Sequence, residues 1–387
     1  MYVQSMIHNL LSDFMHLKRV GSLISVVQGA FEAKQLSVTG LGRALPLPIQ
    51  ERSGIRKVDR LVGNDKLHAQ RKDVYRKVAS LLLGRKHQPW ILVDWSQVPN
   101  TTHQLLRAAV VCEGRALSVY EEVHPESKLA NRKVHRDFLG SLKTVLPDDC
   151  KPIIVTDAGY HTGWFNMIKQ LQWDFVGRVR GLVHYLGEGK SKWKSLKSIH
   201  NKATKTPQTF GRVTLSKTEP CEGIICFYKG PSKRRQSINK TGQRRQSTRC
   251  KTNSKAAREP WALMTSLEGK NVAKKVIRIY KSRMQIEEGF RDLKSSKYGF
   301  GFEQAYSRKI VRIENLLLIA MLASLVAWKV GWFAEKEKLH YEFQANSVKH
   351  RRVLSLFYLG CRIIKKKVFV KIKDFSNIIE ELVWAKI

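Results

Sequence analysis

Two short apolar runs set the frame of this chain. Trp90-Ile-Leu-Val leads into Asp94, and Pro152-Ile-Ile-Val-Thr leads into Asp157. Each has the length of a buried strand, and each finishes on a carboxylate. Between them, Leu106–Glu113 and Ala116–Val123 read as the two arms of a hairpin, with Gly114 in the turn. Asn131–Val145 and Gly163–Leu171 read as helices, and Asp174–Val179 as a further strand.

The resulting order is strand, hairpin strands, helix, strand, helix, strand. That is the order of a ribonuclease-H-like α/β core. If the strands pair in one sheet, Asp94 and Asp157 emerge at the same edge, where open α/β sheets bind their ligands. From about 180 to 267 the pattern changes to short strand-like runs, clearest at Gly211–Leu215 and Gly223–Tyr228.

A third carboxylate comes from the segment that follows. The periodicity predicts one helix from about Asn271 to Lys297, with Gly299 as its C-cap. On a continuous helix Tyr280, Arg283, Glu287 and Lys294 fall within an arc of roughly 60°. A carboxylate flanked by a hydroxyl, a guanidinium and an ammonium suits a phosphodiester site. Val276, Ile279, Ile286, Phe290 and Leu293 form an apolar stripe about 70° from that face, able to pack on a sheet. Glu288 is the obvious rival to Glu287, but it points about 100° away from it.

Charge indicates the partner. The formal net charge is +38, from 70 Lys+Arg against 32 Asp+Glu in 387 residues. Such an excess repels itself unless it meets a polyanion, and double-stranded DNA is the first candidate. An anionic membrane surface is the competing explanation. The longest apolar run, Leu316–Trp328, falls short of the ~20 residues that span a bilayer, so a buried core helix and no membrane association are expected. No secretory signal is evident. The six cysteines are scattered, with no C-x-x-C pair and no zinc spacing. A reduced, cytoplasmic, DNA-associated protein follows from these features.

The first 84 residues read as helical. Ser37–Leu45 and a helix opening at Ser53 as N-cap flank a proline-bearing turn. In the second helix Ile55, Val58, Leu61 and Val62 recur at helical spacing, while Arg56, Lys57 and Arg60 lie mostly off that stripe. This resembles a helix-turn-helix-like unit; an ordinary helical pair with basic solvent-facing residues is the alternative, and the charge of the chain favours DNA binding. Lys229–Arg258 carries many basic residues and no acid between its ends. It reads as a loop that gains order on DNA. The expected division is 1–84, a helical DNA-binding domain; 85–302, the catalytic core with its β-rich insertion; and 303–387, a helical C-terminal region.

The spacing Y-x2-R-x3-E-x6-K resembles the signature of the bacterial cut-and-paste transposases of insertion-sequence family four. Leu92-Val-Asp94-Trp-Ser, Val155-Thr-Asp157-Ala-Gly, Arg178-Val-Arg-Gly and Glu259-Pro-Trp261-Ala-Leu-Met-Thr also resemble the transposon-ten-type enzymes. The resemblance reaches from the amino-terminal helices to about residue 330. It implies a D-D-E core of Asp94, Asp157 and Glu287 that holds Mg²⁺, with Mn²⁺ able to substitute. It further implies phosphate contacts by Tyr280, Arg283, Lys294, Arg178 and Arg180, and stacking of Trp261 on a flipped base. Transposon ends and target DNA are the implied partners, with a homodimer in the synaptic complex. A catalytically inactive descendant that only binds DNA is the alternative. An RNA-binding protein would explain the charge but not the three acids.

Overall fold

The computed structural model describes residues 2–33, 35–84, 88–180, 183–230, 247–248, 259–345 and 347–370. Most of the basic loop and the carboxy-terminal tail, including Lys371, lie outside the described residues.

The elements run in chain order as follows. Six helices come first: α1 Tyr2–Leu11, α2 Leu17–Glu32, α3 Val38–Arg43, α4 Glu51–Val62, α5 Asp65–Ala69 and α6 Arg71–Leu83. Strands β1 Trp90–Gln97, β2 His103–Val111 and β3 Ala116–Pro125 follow, then α7 Arg132–Val145, β4 Ile153–Thr156, α8 Thr162–Gln170 and β5 Asp174–Val179. The β-rich stretch holds β6 His184–Gly187, β7 Lys194–Ser195, β8 Gln208–Leu215, β9 Cys221–Tyr228 and β10 Trp261–Thr265. Five helices close the series: α9 Val272–Lys281, α10 Met284–Lys294, α11 Ile310–Lys336, α12 His340–Phe343 and α13 Leu356–Lys366.

The chain packs as two compact units, residues 1–150 with 284–387, and residues 151–283. This grouping cuts across the sequence-based division at 84 and 302.

In the first unit β1, β2 and β3 form an antiparallel run. Gly114, at φ +69°, makes the β2–β3 turn. The long helix α11 is apolar on nearly every side and is buried almost throughout. By length and composition alone it could cross a membrane, and most of it is covered inside this unit. It meets α13 backbone to backbone. A Cβ on Gly331 would lie 1.9 Å from the Leu356 carbonyl oxygen, and one on Gly360 would lie 1.7 Å from that of Ala327. Only glycine permits that approach.

The α3–α4 pair is equally close, since a Cβ on Gly54 would sit 2.4 Å from the Gly42 carbonyl oxygen. Ser37 caps α3 by accepting the Gly40 N–H. Ser53 does not cap α4. The helix starts earlier, with Gln50 at the cap position, because the chain turns helical directly after the Pro48-Ile49 stretch.

In the second unit β4 and β5 are parallel, and β10, β9, β8, β6 and β7 extend from β5 in antiparallel pairs. The sheet is therefore mixed. Thr265 Oγ1 donates to the Phe175 carbonyl at 2.6 Å and Ser266 Oγ to Asp174 at 2.7 Å, which pins the register of β10 on β5.

The expected single helix 271–297 is two. Ser282 and Arg283 form a turn between α9 and α10. The Ser282 and Arg283 amides bond three residues back, to Ile279 and Tyr280, and Ser282 Oγ donates to the Ile279 carbonyl at 2.6 Å. These tight bonds end α9, so the common arc of Tyr280, Arg283, Glu287 and Lys294 does not exist on one cylinder. Gly299 is not a cap either: α10 ends at Lys294, and a Cβ on Gly299 would collide with the Asp292 backbone.

Candidate active site

Each unit carries part of the expected residue set. In the first, Asp94 stands within β1, which continues to Gln97, so the apolar run ends at the carboxylate but the strand does not. Asp94 is half-buried, and its Oδ1 accepts the Trp95 amide at 2.9 Å. Glu287 lies on α10 with its side chain exposed. Its rival Glu288 is engaged by Arg291, with Arg115 also at 4.0 Å.

Helix α10 is fastened to the strands by its own polar side chains. Lys294 Nζ donates to Ser96 Oγ at 2.8 Å and to the Gln97 carbonyl. Burial, with the Arg107 guanidinium as the second cause, pushes the Lys294 ammonium down to about 8. Asp292 pairs with Arg115 of the β2–β3 turn. Phe290 lies under Arg107, whose Cζ is 4.6 Å from the ring centroid.

In the second unit Asp157 follows directly on β4, half-buried, and its Oδ1 accepts the Gly159 amide at 2.8 Å. A pocket of about 480 Å³ beside it is lined by Ala158, His161, Arg178, Arg180, His184 and Lys217. Arg178 donates to the Glu259 carbonyl at 3.5 Å. Its Nε is buried without a hydrogen-bond partner among the described residues. Burial pulls its basicity down, and the Tyr280 hydroxyl beside it counters that effect. Tyr280 is only 4% exposed. Burial pushes its hydroxyl up, while Arg283 and Arg178 pull it back. The half-buried Trp261 opens β10 and packs its ring between those of Tyr280 and Tyr228, with centroids 4.9 and 5.6 Å away.

The remaining candidates sit on α4. Arg56 and Arg60 are exposed and Lys57 half-buried. They line a groove of about 820 Å³ whose other wall includes His16, Lys18 and Arg19 of the α2 start. That second wall was not visible in the sequence, because nothing local marks α2 as a neighbour of α4. Arg107 and Glu121 were also missed. A lone arginine inside an apolar strand was their only signal.

Among the described residues neither unit assembles three carboxylate, imidazole or thiol groups that could hold a metal. The donor chemistry of Asp94, Asp157 and Glu287 is all-oxygen, which fits a hard divalent cation such as Mg²⁺ or Mn²⁺. The described thiols do not offer a softer site: burial pushes Cys112, Cys150 and Cys226 up to about 12.

A family model for the transposase DDE domain matches residues 85–326, more than half of the chain. No curated protein matches.

Proposed function

Because this chain belongs to the transposase DDE-domain family, we propose that it is a cut-and-paste transposase of insertion-sequence family four, in the transposon-ten-like subgroup. Membership alone makes it a transposase acting on DNA with nuclease and transesterase chemistry. The observation that carries the finer reading is that the matched segment contains Asp94, Asp157 and Glu287 together with the whole Y-x2-R-x3-E-x6-K spacing.

In this reading Asp94, Asp157 and Glu287 are the catalytic acids, and their carboxylates hold the divalent metal, Mg²⁺ or Mn²⁺. When bound, the metal supplies activation of the attacking oxygen and stabilisation of the leaving one. Arg178, Arg180, Arg283, Lys294 and Tyr280 hold phosphates near the scissile bond. Water attack at the transposon end frees a 3′-OH. That hydroxyl attacks the opposite strand to give a hairpin, water reopens the hairpin, and the hydroxyl then attacks target DNA. Trp261 stacks on a base flipped out during hairpin formation. Residues 1–84 bind the terminal inverted repeats through the basic face of α4, and two copies of the chain meet in the synaptic complex.

The test is cleavage of a plasmid carrying the DNA that flanks the gene, with Mg²⁺ or Mn²⁺ added. Asp94→Asn, Asp157→Asn and Glu287→Gln should each abolish nicking while gel-shift affinity for that DNA is kept. Any one of the three that nicks at the wild-type rate removes that residue from the catalytic set.

A further inference from the structure

The most unusual arrangement in the first unit is a charged row across its strands. Arg107 on β2 is the register partner of Asp94 on β1 and of Glu121 on β3. Directly opposed residues of antiparallel strands share a face, so Asp94, Arg107 and Glu121 lie side by side on one face. Glu121 is 0% exposed and Arg107 6%. Arg107 Nε donates to Glu121 Oε1 at 2.5 Å. The other carboxylate oxygen accepts the Tyr75 hydroxyl at 2.8 Å, and Ser118 Oγ adds a bond at 3.1 Å. The guanidinium is thereby held in a single orientation, and its face covers the Phe290 ring. Phe290 is three residues after Glu287, almost one turn along α10.

We propose that Arg107 and Glu121 are positioning residues that set α10, and with it Glu287, against the strand that carries Asp94. The inference rests on the reading of Asp94 and Glu287 as catalytic acids. Arg107 is both paired in register with Asp94 and stacked on the helix of Glu287. Glu121 fixes that guanidinium, and Tyr75 and Ser118 fix Glu121. Lys294 on β1 and Asp292 on Arg115 hold the same helix further along. Stability alone does not call for this design. A buried ion pair replaced by apolar side chains of similar size is often neutral or better for folding. What the charged pair supplies is a direction, since a bidentate-capable planar guanidinium accepts few geometries.

That difference gives the test. The paired variant Arg107→Met with Glu121→Gln removes both charges, keeps the volume and leaves the buried Tyr75 hydroxyl an acceptor. Single-turnover nicking of duplexes copying the gene's flanking DNA is measured at saturating DNA, across Mg²⁺ and Mn²⁺ titrations, beside gel-shift affinity and a melting curve. The expected result is a melting temperature within about 4 °C of wild type and unchanged DNA affinity. Maximal nicking should fall about 10- to 100-fold. The half-maximal metal concentration should rise about ten-fold or more, as for lost outer-shell support. Phe290→Leu, which keeps an apolar side chain but removes the ring, should move both readouts in the same direction by a smaller factor. A folded double variant with the wild-type rate and metal midpoint overturns the proposal. So does a loss of nicking that merely follows the unfolded fraction. Asp94→Asn and Glu287→Gln serve as controls. If they nick normally, the reading of the acids fails. If they are dead while the paired variant is normal, only the positioning role fails.

Discussion

The ring of Trp261 meets that of Tyr280 edge to face, with centroids 4.9 Å apart and planes at 75°. Tyr280 is buried and Trp261 only half so, which leaves part of the indole available to another ring. A base stacked there would be held by about 1–3 kcal/mol. Trp261→Ala should therefore leave first-strand nicking nearly intact and reduce hairpin yield strongly but not completely. Trp261→Phe should recover part of the yield, because the π-face matters more than the indole N–H. Denaturing gels of nicked and hairpin products, run beside melting curves, read this directly. A stable alanine variant with normal hairpin yield defeats the stacking role. Equal damage to stability, nicking and hairpins would instead mark Trp261 as a support for Tyr228 and Tyr280.

The groove beside α4 has two basic walls, Arg56, Lys57 and Arg60 opposite Lys18 and Arg19. If DNA lies in it, each lost phosphate contact flattens the dependence of affinity on salt by about one unit of log–log slope. Replacing Arg56, Lys57 and Arg60 by alanine should weaken binding to the flanking duplex and flatten that slope. Fluorescence anisotropy from low to moderate salt measures both. Wild-type affinity and slope would exclude the α4 face as the DNA contact.

Much of this arrangement was readable in the sequence where the signal is local. Asn131 caps α7 through the Lys133 and Val134 amides, and β5 spans Asp174–Val179 as its apolar run suggests. The break at Ser282–Arg283 was not readable. The apolar stripe from Val276 to Leu293 keeps helical period across it, and the interruption is made by backbone and Ser282 hydroxyl bonds that leave no trace in hydropathy. Glu121 was hidden for another reason. The β2–β3 register shifts at Ala108/Ala109, so its partner cannot be counted out from the Gly114 turn. The signature spacing grouped Tyr280, Arg283, Glu287 and Lys294 by residue type alone. The helix face that seemed to unite them was a consequence of assuming one cylinder.

The α11–α13 contact gives a stability prediction. Gly331→Ala and Gly360→Ala each drive a methyl into backbone that has no flexible side chain to yield. Overpacking of that kind costs about 1–3 kcal/mol. Each variant should lower the melting temperature by several degrees in calorimetry. Gly140→Ala is the control, since nothing lies within 4 Å of a Cβ there and the residue is inside α7. It should be neutral or stabilise by up to about 1 kcal/mol. If the three variants melt alike, the close packing of Gly331 on Gly360 is wrong.

Lys294 supplies a pH dependence whose sign can be worked out. Burial holds its folded-state value at about 8 against an ordinary 10.5. Between those two values the unfolded chain binds the extra proton, so this group makes stability rise with pH through that window. Its role at a phosphate runs the other way. The ammonium is fully charged below about 8 and is lost above it, so any contact it makes to DNA weakens on the alkaline side. Nicking by the wild type, divided by nicking by Lys294→Arg, should therefore fall as pH is raised from 7 to 9.5. The ratio cancels the general gain from hydroxide, and the arginine stays charged throughout. Lys294→Met should be slow at every pH and should show no such fall. Single-turnover rates at saturating DNA and fixed metal give the three profiles. A wild-type to arginine ratio that stays flat across the range would mean that the Lys294 charge does not act on the reacting DNA. The residue would then serve only to tie α10 to Ser96 and Gln97.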